Sequence, residues 1–229
     1  MQRYFLSSND REITGSDAHH IMHVMRMSSG DNVIVCFDKR CFLSALTIEN
    51  QRVFYDVVEE LHDDKGAHIT LIQGLPKHPK GETVSKYATM FGASEIIFVP
   101  MQRSIAKLDN EANKLKRMHA IAKEAAELAH RFDVPQISFA ASLKQMNWNY
   151  DILLVADENE KTKTLYDALP KISEHLKIAL VIGPEGGLSD AERTFFDQQG
   201  AHMVSLGKLI LPTELASLYA LTYLSLKNF

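Results

Sequence analysis

A chain of 229 residues, 45% hydrophobic and 24% charged, carries enough apolar side chains for one sizeable core or two modest ones and has the composition of a soluble globular protein. Its net charge of −4 excludes a uniformly basic nucleic-acid coat, so any nucleic-acid contact must come from local clusters of Lys and Arg. No run approaches the ~20 apolar residues of a membrane span, and the N-terminus MQRYFLSSNDRE lacks an apolar signal region. A cytoplasmic protein is expected, with Cys36 and Cys41, too few for a disulfide framework, as reduced core thiols.

From Met1 to about Asp64 the pattern is short strands with one helical interruption. Asp17 to Met27 is predicted helical, with Ile21, Met22, Val24 and Met25 on its apolar side, and Ser28-Ser29-Gly30-Asp31 ends it. Strands follow at Asn32 to Phe37, Phe42 to Ile48 and Val53 to Val58, rich in Val, Ile and aromatic residues and separated by polar turns. That is a small β-barrel pattern. His19 and His23 share a helix face at i, i+4, but no acidic or third ligand accompanies them, and no metal site is expected.

Residues His62 to Gly66 read as a linker, which divides the chain into 1–66 and 67–229. Beyond it strand and helix alternate. Strands are predicted at His68 to Gln73, Glu95 to Val99, Gln136 to Phe139 and Asp151 to Ala156. Helices are predicted at Lys80 to Phe91, from a cap at Asp109 to about Arg131, and from about Thr162 to His175. Such alternation argues for a doubly wound α/β domain with a mostly parallel sheet.

The stretch from Ile178 to Leu218 holds most of the functional information. A buried strand, Ile178 to Ile182, stops at Gly183-Pro184-Glu185-Gly186-Gly187. Ser189 and Glu192 then have capping-box spacing, and Gly200 ends the helix they open. His202 to Leu206 is the next strand, ending at Gly207, and a last helix begins near Pro212 or Thr213. Two strand ends carrying Gly turns in one α/β domain suggest a ligand pocket, although spacing alone also fits two ordinary βα turns. The nucleotide fingerprints G-x-G-x-x-G and G-x-x-x-x-G-K-[ST] are absent, which argues against a dinucleotide or P-loop enzyme.

GPEGGLSDAE at 183–192 followed by SLGKLILPTELA at 205–216 resembles the paired C-terminal motifs of the RsmE family, bacterial 16S rRNA (uracil-N3)-methyltransferases of the SPOUT superfamily. The resemblance extends over nearly the whole chain. It includes HHIMHVMRMSSGD at 19–31, QGLPK at 73–77, FGASEI at 91–96, QRS at 102–104, IAKEAAE at 121–127, Arg131 and VPQI at 134–137. It implies a PUA-like RNA-binding domain before a trefoil-knotted SPOUT domain, a homodimer, and 16S rRNA within the assembled small subunit as partner. S-adenosyl-L-methionine is the implied cofactor, against Ile182, Gly183, Pro184, Glu185, Gly186, Gly187, Ser205, Leu206, Gly207, Ile210 and Leu211. Methylating N3 also requires loss of the imide proton: Arg103 is the first candidate for a cation that helps the uracil ionise and Arg131 the second, while Glu185 and Glu214 match acidic positions that either order the turns or supply a base, with Arg103 and Glu214 taken as the catalytic pair. His20, Arg26, Lys77, Lys80, Arg131 and Lys208 are the expected RNA contacts.

The departures from the family pattern are specific. Pro212 stands where the family's ILRTETA stretch has Arg, and Leu215 where it has the later Thr. Tyr87 and Met90 replace Lys and Glu of K-A-T-E-L-G, Leu128 replaces the Gln of E-Q-S-x-R, and LPKGDK becomes LPKHPK. These changes keep open a diverged paralogue with another RNA target, and an RNA-binding protein that retains the cofactor pocket with attenuated activity.

Overall fold

The computed structural model describes residues 1–63, 66–169 and 175–227. The chain divides into two compact units, Met1–Asp64 with Ala126–Val134, and Lys65–Ala125 with Pro135–Phe229.

The first unit is a five-stranded sheet in the order β1 (Arg3–Phe5), β3 (Asn32–Phe37), β4 (Arg40–Glu49), β5 (Arg52–Leu61), β2 (Glu12–Ile13). β1 runs parallel to β3, and the remaining pairs are antiparallel. The two hairpins turn through two residues each, Asp38-Lys39 and Asn50-Gln51, all four with positive φ. Such turns match the right-handed twist of the strands and extend the ladders up to the turn itself, so β4 and β5 are longer than the apolar patterning indicates. That register sets Cys36 opposite Cys41, and the two are joined by a disulfide. They are buried as expected, but they are not the reduced thiols expected from the cysteine count.

The helix predicted over Asp17 to Met27 is observed over Gly15–Val24, starting two residues earlier and ending three residues earlier. One α-helical turn, α1 (Gly15–His19), passes into a π-helical turn over His20–Val24, where Met25 N–H donates to His20 O. The wider turn rotates the apolar stripe. Ala18 and Ile21 point into the core while Val24 and Met25 are exposed. Segment 126–134 packs into this unit. Arg3 is buried, donates to Arg131 O and lies over the Phe132 ring, and Phe5 N–H donates to Glu127 Oε1.

The second unit holds a six-stranded sheet, entirely parallel, in the order β11 (His202–Val204), β9 (Ile152–Ala156), β10 (Lys177–Ile182), β6 (His68–Gly74), β7 (Glu95–Val99), β8 (Gln136–Phe139). Its central strands β10 and β6 are buried along nearly their whole length, as their unbroken apolar runs require. The helices are α2 (Lys80–Met90), α3 (Glu111–Leu128), α4 (Leu165–Ala168), α5 (Asp190–Gln198) and α6 (Thr213–Lys227).

Two helix starts differ from the sequence reading. Asn110, not Asp109, immediately precedes α3; Asp109 instead pairs with Lys114, while Asn110 binds Asn113 Nδ2 and Lys114 N–H. The helix expected from Thr162 starts at Leu165, because Thr164 and Asp167 form the capping box, and it ends at Ala168. The part of that expectation at 170–174 lies outside the described residues.

Candidate functional site

The carboxyl ends of β9, β10 and β11 are adjacent in a parallel sheet, where crevices form. A pocket of about 460 Å³ opens there. Its walls come from three segments: Ala156, Asp157, Glu158 and Lys161 after β9; Ile182 to Gly187 after β10; and Ser205 to Gly207 with Leu209 to Thr213 and Ala216 after β11. Ile182, Gly183, Pro184, Glu185, Gly186, Gly187, Ser205, Leu206, Gly207, Ile210 and Leu211 all lie on this one wall. The contribution from β9 escaped the sequence reading. The signal was present in Asp157-Glu158-Asn159-Glu160 directly after a buried strand, but nothing local says that β9 sits between β10 and β11.

Close backbone packing shapes the turn after β10. A Cβ on Gly74 would lie 2.5 Å from Pro184 N, and one on Gly186 would lie 2.9 Å from Arg103 Cβ, so β6 and the Gln102-Arg103-Ser104 segment both press on the turn. Arg103 Nη1 donates to Gly186 O at 3.0 Å, and Gln102 N–H donates to Glu192 Oε1 at 2.6 Å. The predicted capping box of Ser189 and Glu192 is formed. Beneath the pocket, buried Gln73 donates to Thr213 Oγ1 at 2.7 Å, and Thr213 donates to Gly183 O at 2.5 Å. These two bonds tie the end of β6, the glycine turn and the start of α6 into one unit. Gly207 has φ +117°, which a residue with a side chain rarely adopts, and a Cβ there would meet nothing within 4 Å.

The charges are organised in two groups. Lys80 Nζ lies 2.9 Å from Glu214 Oε2 and 3.5 Å from Glu185 Oε1, and Glu185 also accepts from Lys77 N–H at 3.0 Å. The Glu214 carboxylate is the main reason the Lys80 ammonium is held above its ordinary range. Burial pushes the Glu185 carboxyl up, but the Lys77 N–H and the Lys80 charge outweigh it and leave it lowered. On the other side Arg193 grips buried Asp157 with Nε at 2.7 Å and Nη2 at 3.1 Å, and reaches Asp190 at 2.9 Å. Burial raises the Asp157 carboxyl, and the Arg193 guanidinium with Asn159 N–H more than reverses the shift.

The other candidate residues are scattered. His20 Nδ1 lies 3.0 Å from Tyr4 Oη, and Arg26 is exposed with φ +52°. Arg131 is largely buried and paired with Asp133 at 2.6 Å, which ties its charge into the first unit. Lys77 and Lys208 are exposed. Among the described residues, no three His, Cys, Asp or Glu side chains are grouped to hold a metal ion, and no helix is long and apolar enough to cross a membrane.

A family model described as an RNA methyltransferase domain matches residues 63–225, and one described as an RNA methyltransferase PUA domain matches residues 13–47. The chain is 35% identical to the ribosomal RNA small subunit methyltransferase E of Bacillus subtilis (strain 168), over 98% of this chain and 96% of that protein. A solved structure described as a hypothetical protein matches with TM-score 0.83 at 32% identity, covering 99% of this chain and 98% of the other. The ribosomal RNA small subunit methyltransferase E of Neisseria gonorrhoeae, solved bound to S-adenosyl methionine, shares the fold with TM-score 0.82 at 24% identity, covering 99% of this chain and 97% of that one. The sheet of the first unit is thus that of a PUA-like domain, and the parallel sheet that of the methyltransferase domain. With both domain models in order along one chain and a full-length relative at 35% identity, this protein belongs to the ribosomal RNA small subunit methyltransferase E family.

Proposed function

We propose that this chain is an S-adenosyl-L-methionine-dependent methyltransferase acting on N3 of a uridine in 16S rRNA, within the small ribosomal subunit in the cytoplasm. The observation that carries the reading is a pocket at the ends of β9, β10 and β11 to which the two glycine-marked segments both contribute. Its volume lies in the range of small-molecule sites, and the open space above Gly207 leaves room for a ligand to lie against the backbone. The cofactor, when bound, supplies an activated methyl group on a sulfonium; the chain's part is to bind, orient and tune charge.

Glu214, which follows the pocket-lining Thr213 and pairs with Lys80, is proposed as the acceptor of the uridine N3 proton. Arg103, fixed to the glycine turn through Gly186 O, is proposed to turn its remaining N–H donors toward the anionic uracil. RNA contact is assigned to Lys77, Lys208 and Arg26, whose side chains are exposed. Lys80 and Arg131 are engaged by carboxylates and are not counted on for phosphate binding. The functional division is proposed at 1–66 and 67–229, with the last segment threaded as a trefoil knot. The test is transfer of labelled methyl to small subunits from a strain lacking this enzyme, with mass spectrometry of the rRNA nucleosides. Label in N3-methyluridine is the expected result, and label elsewhere or none overturns the assignment.

Pro212 favours a second reading, an attenuated enzyme. It lines the pocket at the head of α6, where it offers neither charge nor N–H donor. Pro212→Arg is expected to raise single-turnover methyl transfer about tenfold, the value of one regained charge-assisted contact of about 1.5 kcal/mol. A fast native chain with no gain from Arg removes the attenuated reading.

A homodimer is proposed through α6. Ala216, Ala220, Leu221 and Leu224 face the core, while Leu215, Tyr219 and Leu226 are exposed on the other side, with Tyr166, Leu209 and Ile210 also uncovered. So many large apolar groups on one helix and the pocket loop suit a covered surface. Light scattering at micromolar concentration is expected to give twice the chain mass; the mass of a single chain contradicts the dimer.

A further inference from the structure

The pocket wall carries both a charged loop and apolar groups, and we infer that Glu158 and Lys161 grip the amino-acid end of the bound ligand, Glu158 its α-ammonium and Lys161 its α-carboxylate. The inference rests on the cofactor assignment proposed above.

Three carboxylates line the pocket, and their partners differ. The Asp157 side chain is 5% exposed and saturated by Arg193 and Asn159 N–H. Glu185 is engaged by Lys77 N–H and Lys80. The Glu158 side chain is 40% exposed, and Arg193 Nη2 approaches it only to 3.6 Å, beyond hydrogen-bond distance, with that guanidinium already committed to Asp157 and Asp190. Glu158 also touches the Asp157 carboxyl, but at 40% exposure its carboxylate still presents acceptor surface to a ligand.

Its position is set by the glycine turn. A Cβ on Gly187 would lie 2.9 Å from the Glu158 carboxyl carbon and 3.0 Å from Oε2, so the carboxylate rests directly on the turn. Lys161 is the one Lys or Arg on the described wall, and its Nζ donates to Glu158 O. A cation and an anion thus sit on one short loop. That loop is held in shape: Glu160 Oε1 accepts from Thr162 N–H and Oγ1, each at 2.6 Å, and from Lys163 N–H at 3.0 Å. The same wall also carries Ile182, Leu206, Ile210, Leu211 and Ala216, an apolar lining that suits a nucleoside. A fixed pair of opposite charges beside an apolar slot matches a zwitterion joined to an adenosine.

The test compares two ligands by calorimetry. S-adenosylhomocysteine carries adenosine, thioether and amino acid, whereas methylthioadenosine carries the first two and lacks the amino acid. The native chain is expected to prefer S-adenosylhomocysteine. Glu158→Gln and Lys161→Met are each expected to weaken it about tenfold, as loss of one charge-assisted hydrogen bond does, and to leave methylthioadenosine unchanged. Equal losses for both ligands would mean that the loop only shapes the pocket, and that overturns the inference. Variants that match the native chain on S-adenosylhomocysteine, or a native chain that binds both ligands equally well, overturn it too. A native chain that binds neither ligand sinks the cofactor assignment itself, a result distinct from all of these.

Discussion

Gly207→Val is expected to weaken S-adenosyl-L-methionine binding by about a hundredfold or more, roughly 2.7 kcal/mol, while the protein still folds. The backbone at Gly207 has φ +117°, a region where a β-branched residue carries strain of about 1 to 3 kcal/mol. The loop can relieve that strain only by leaving the conformation that forms the pocket wall. A Cβ there meets no protein atom within 4 Å, so the substitution causes no internal collision, and its added methyl groups take up space at the pocket. Gly183→Val should act differently. Its Cβ would lie 3.3 Å from the Gly187 carbonyl carbon and 3.4 Å from the Leu188 side chain, so the turn itself must move, and both stability and binding fall. Calorimetry with the cofactor and a thermal melt of each variant separate the two effects. A Gly207→Val chain that binds within about threefold of the native one contradicts this account of the pocket.

Arg193→Met is expected to destabilise the methyltransferase domain by about 2 to 3 kcal/mol, because it leaves the Asp157 carboxylate buried without its partner. For a unit of this size that corresponds to a fall of about 4 to 12 °C in the melting midpoint. Trp148, the single tryptophan, packs edge-on against Phe195 and Phe196 of α5, the helix that carries Arg193, so its fluorescence reports the transition. The pH dependence carries an independent sign. In the native chain the Asp157 carboxyl is lowered, so its stabilisation is complete above the ordinary carboxylate range and is lost as pH falls below it. In the variant burial still raises the carboxyl and only the Asn159 N–H and the Glu158 contact still lower it, so less stabilisation remains above the carboxylate range and less is lost as pH falls. Asp157→Asn combined with Arg193→Met should regain part of the loss, since it removes the unpaired charge. An Arg193→Met chain that melts with the native one would show that the pair contributes nothing net.

Much of the C-terminal domain is legible from local pattern. The apolar runs of β6, β7 and β10, the capping box at Ser189 and Glu192, and the glycine turns each depend on neighbours within about five residues, and they stand where the residues indicate. The disulfide was legible in principle. Once Asp38-Lys39 is taken as a two-residue hairpin turn, Cys36 and Cys41 must face each other, a pairing that a count of two cysteines does not reveal. The π-helical turn at His20–Val24 was not legible, since one more residue in a turn leaves no mark on composition.

The amino-acid sequence by itself determined the strand and helix order of the methyltransferase domain, the two turns that need glycine, and membership in a family of recognisable motifs. Only the tertiary structure decided which strands stand side by side, and so which loops share a pocket. Asp157, Glu158 and Lys161 join the site because β9 is inserted between β10 and β11. Lys80 meets Glu185 and Glu214, more than a hundred positions away, because α2, the turn after β10 and α6 converge. Arg131 is drawn into a buried partnership around Arg3 by a segment that crosses back to the first unit. The physical reason is the same in each case. Backbone propensity and capping act within a turn or two of the chain, whereas ion pairing and strand adjacency depend on how burial of the apolar faces brings distant segments together.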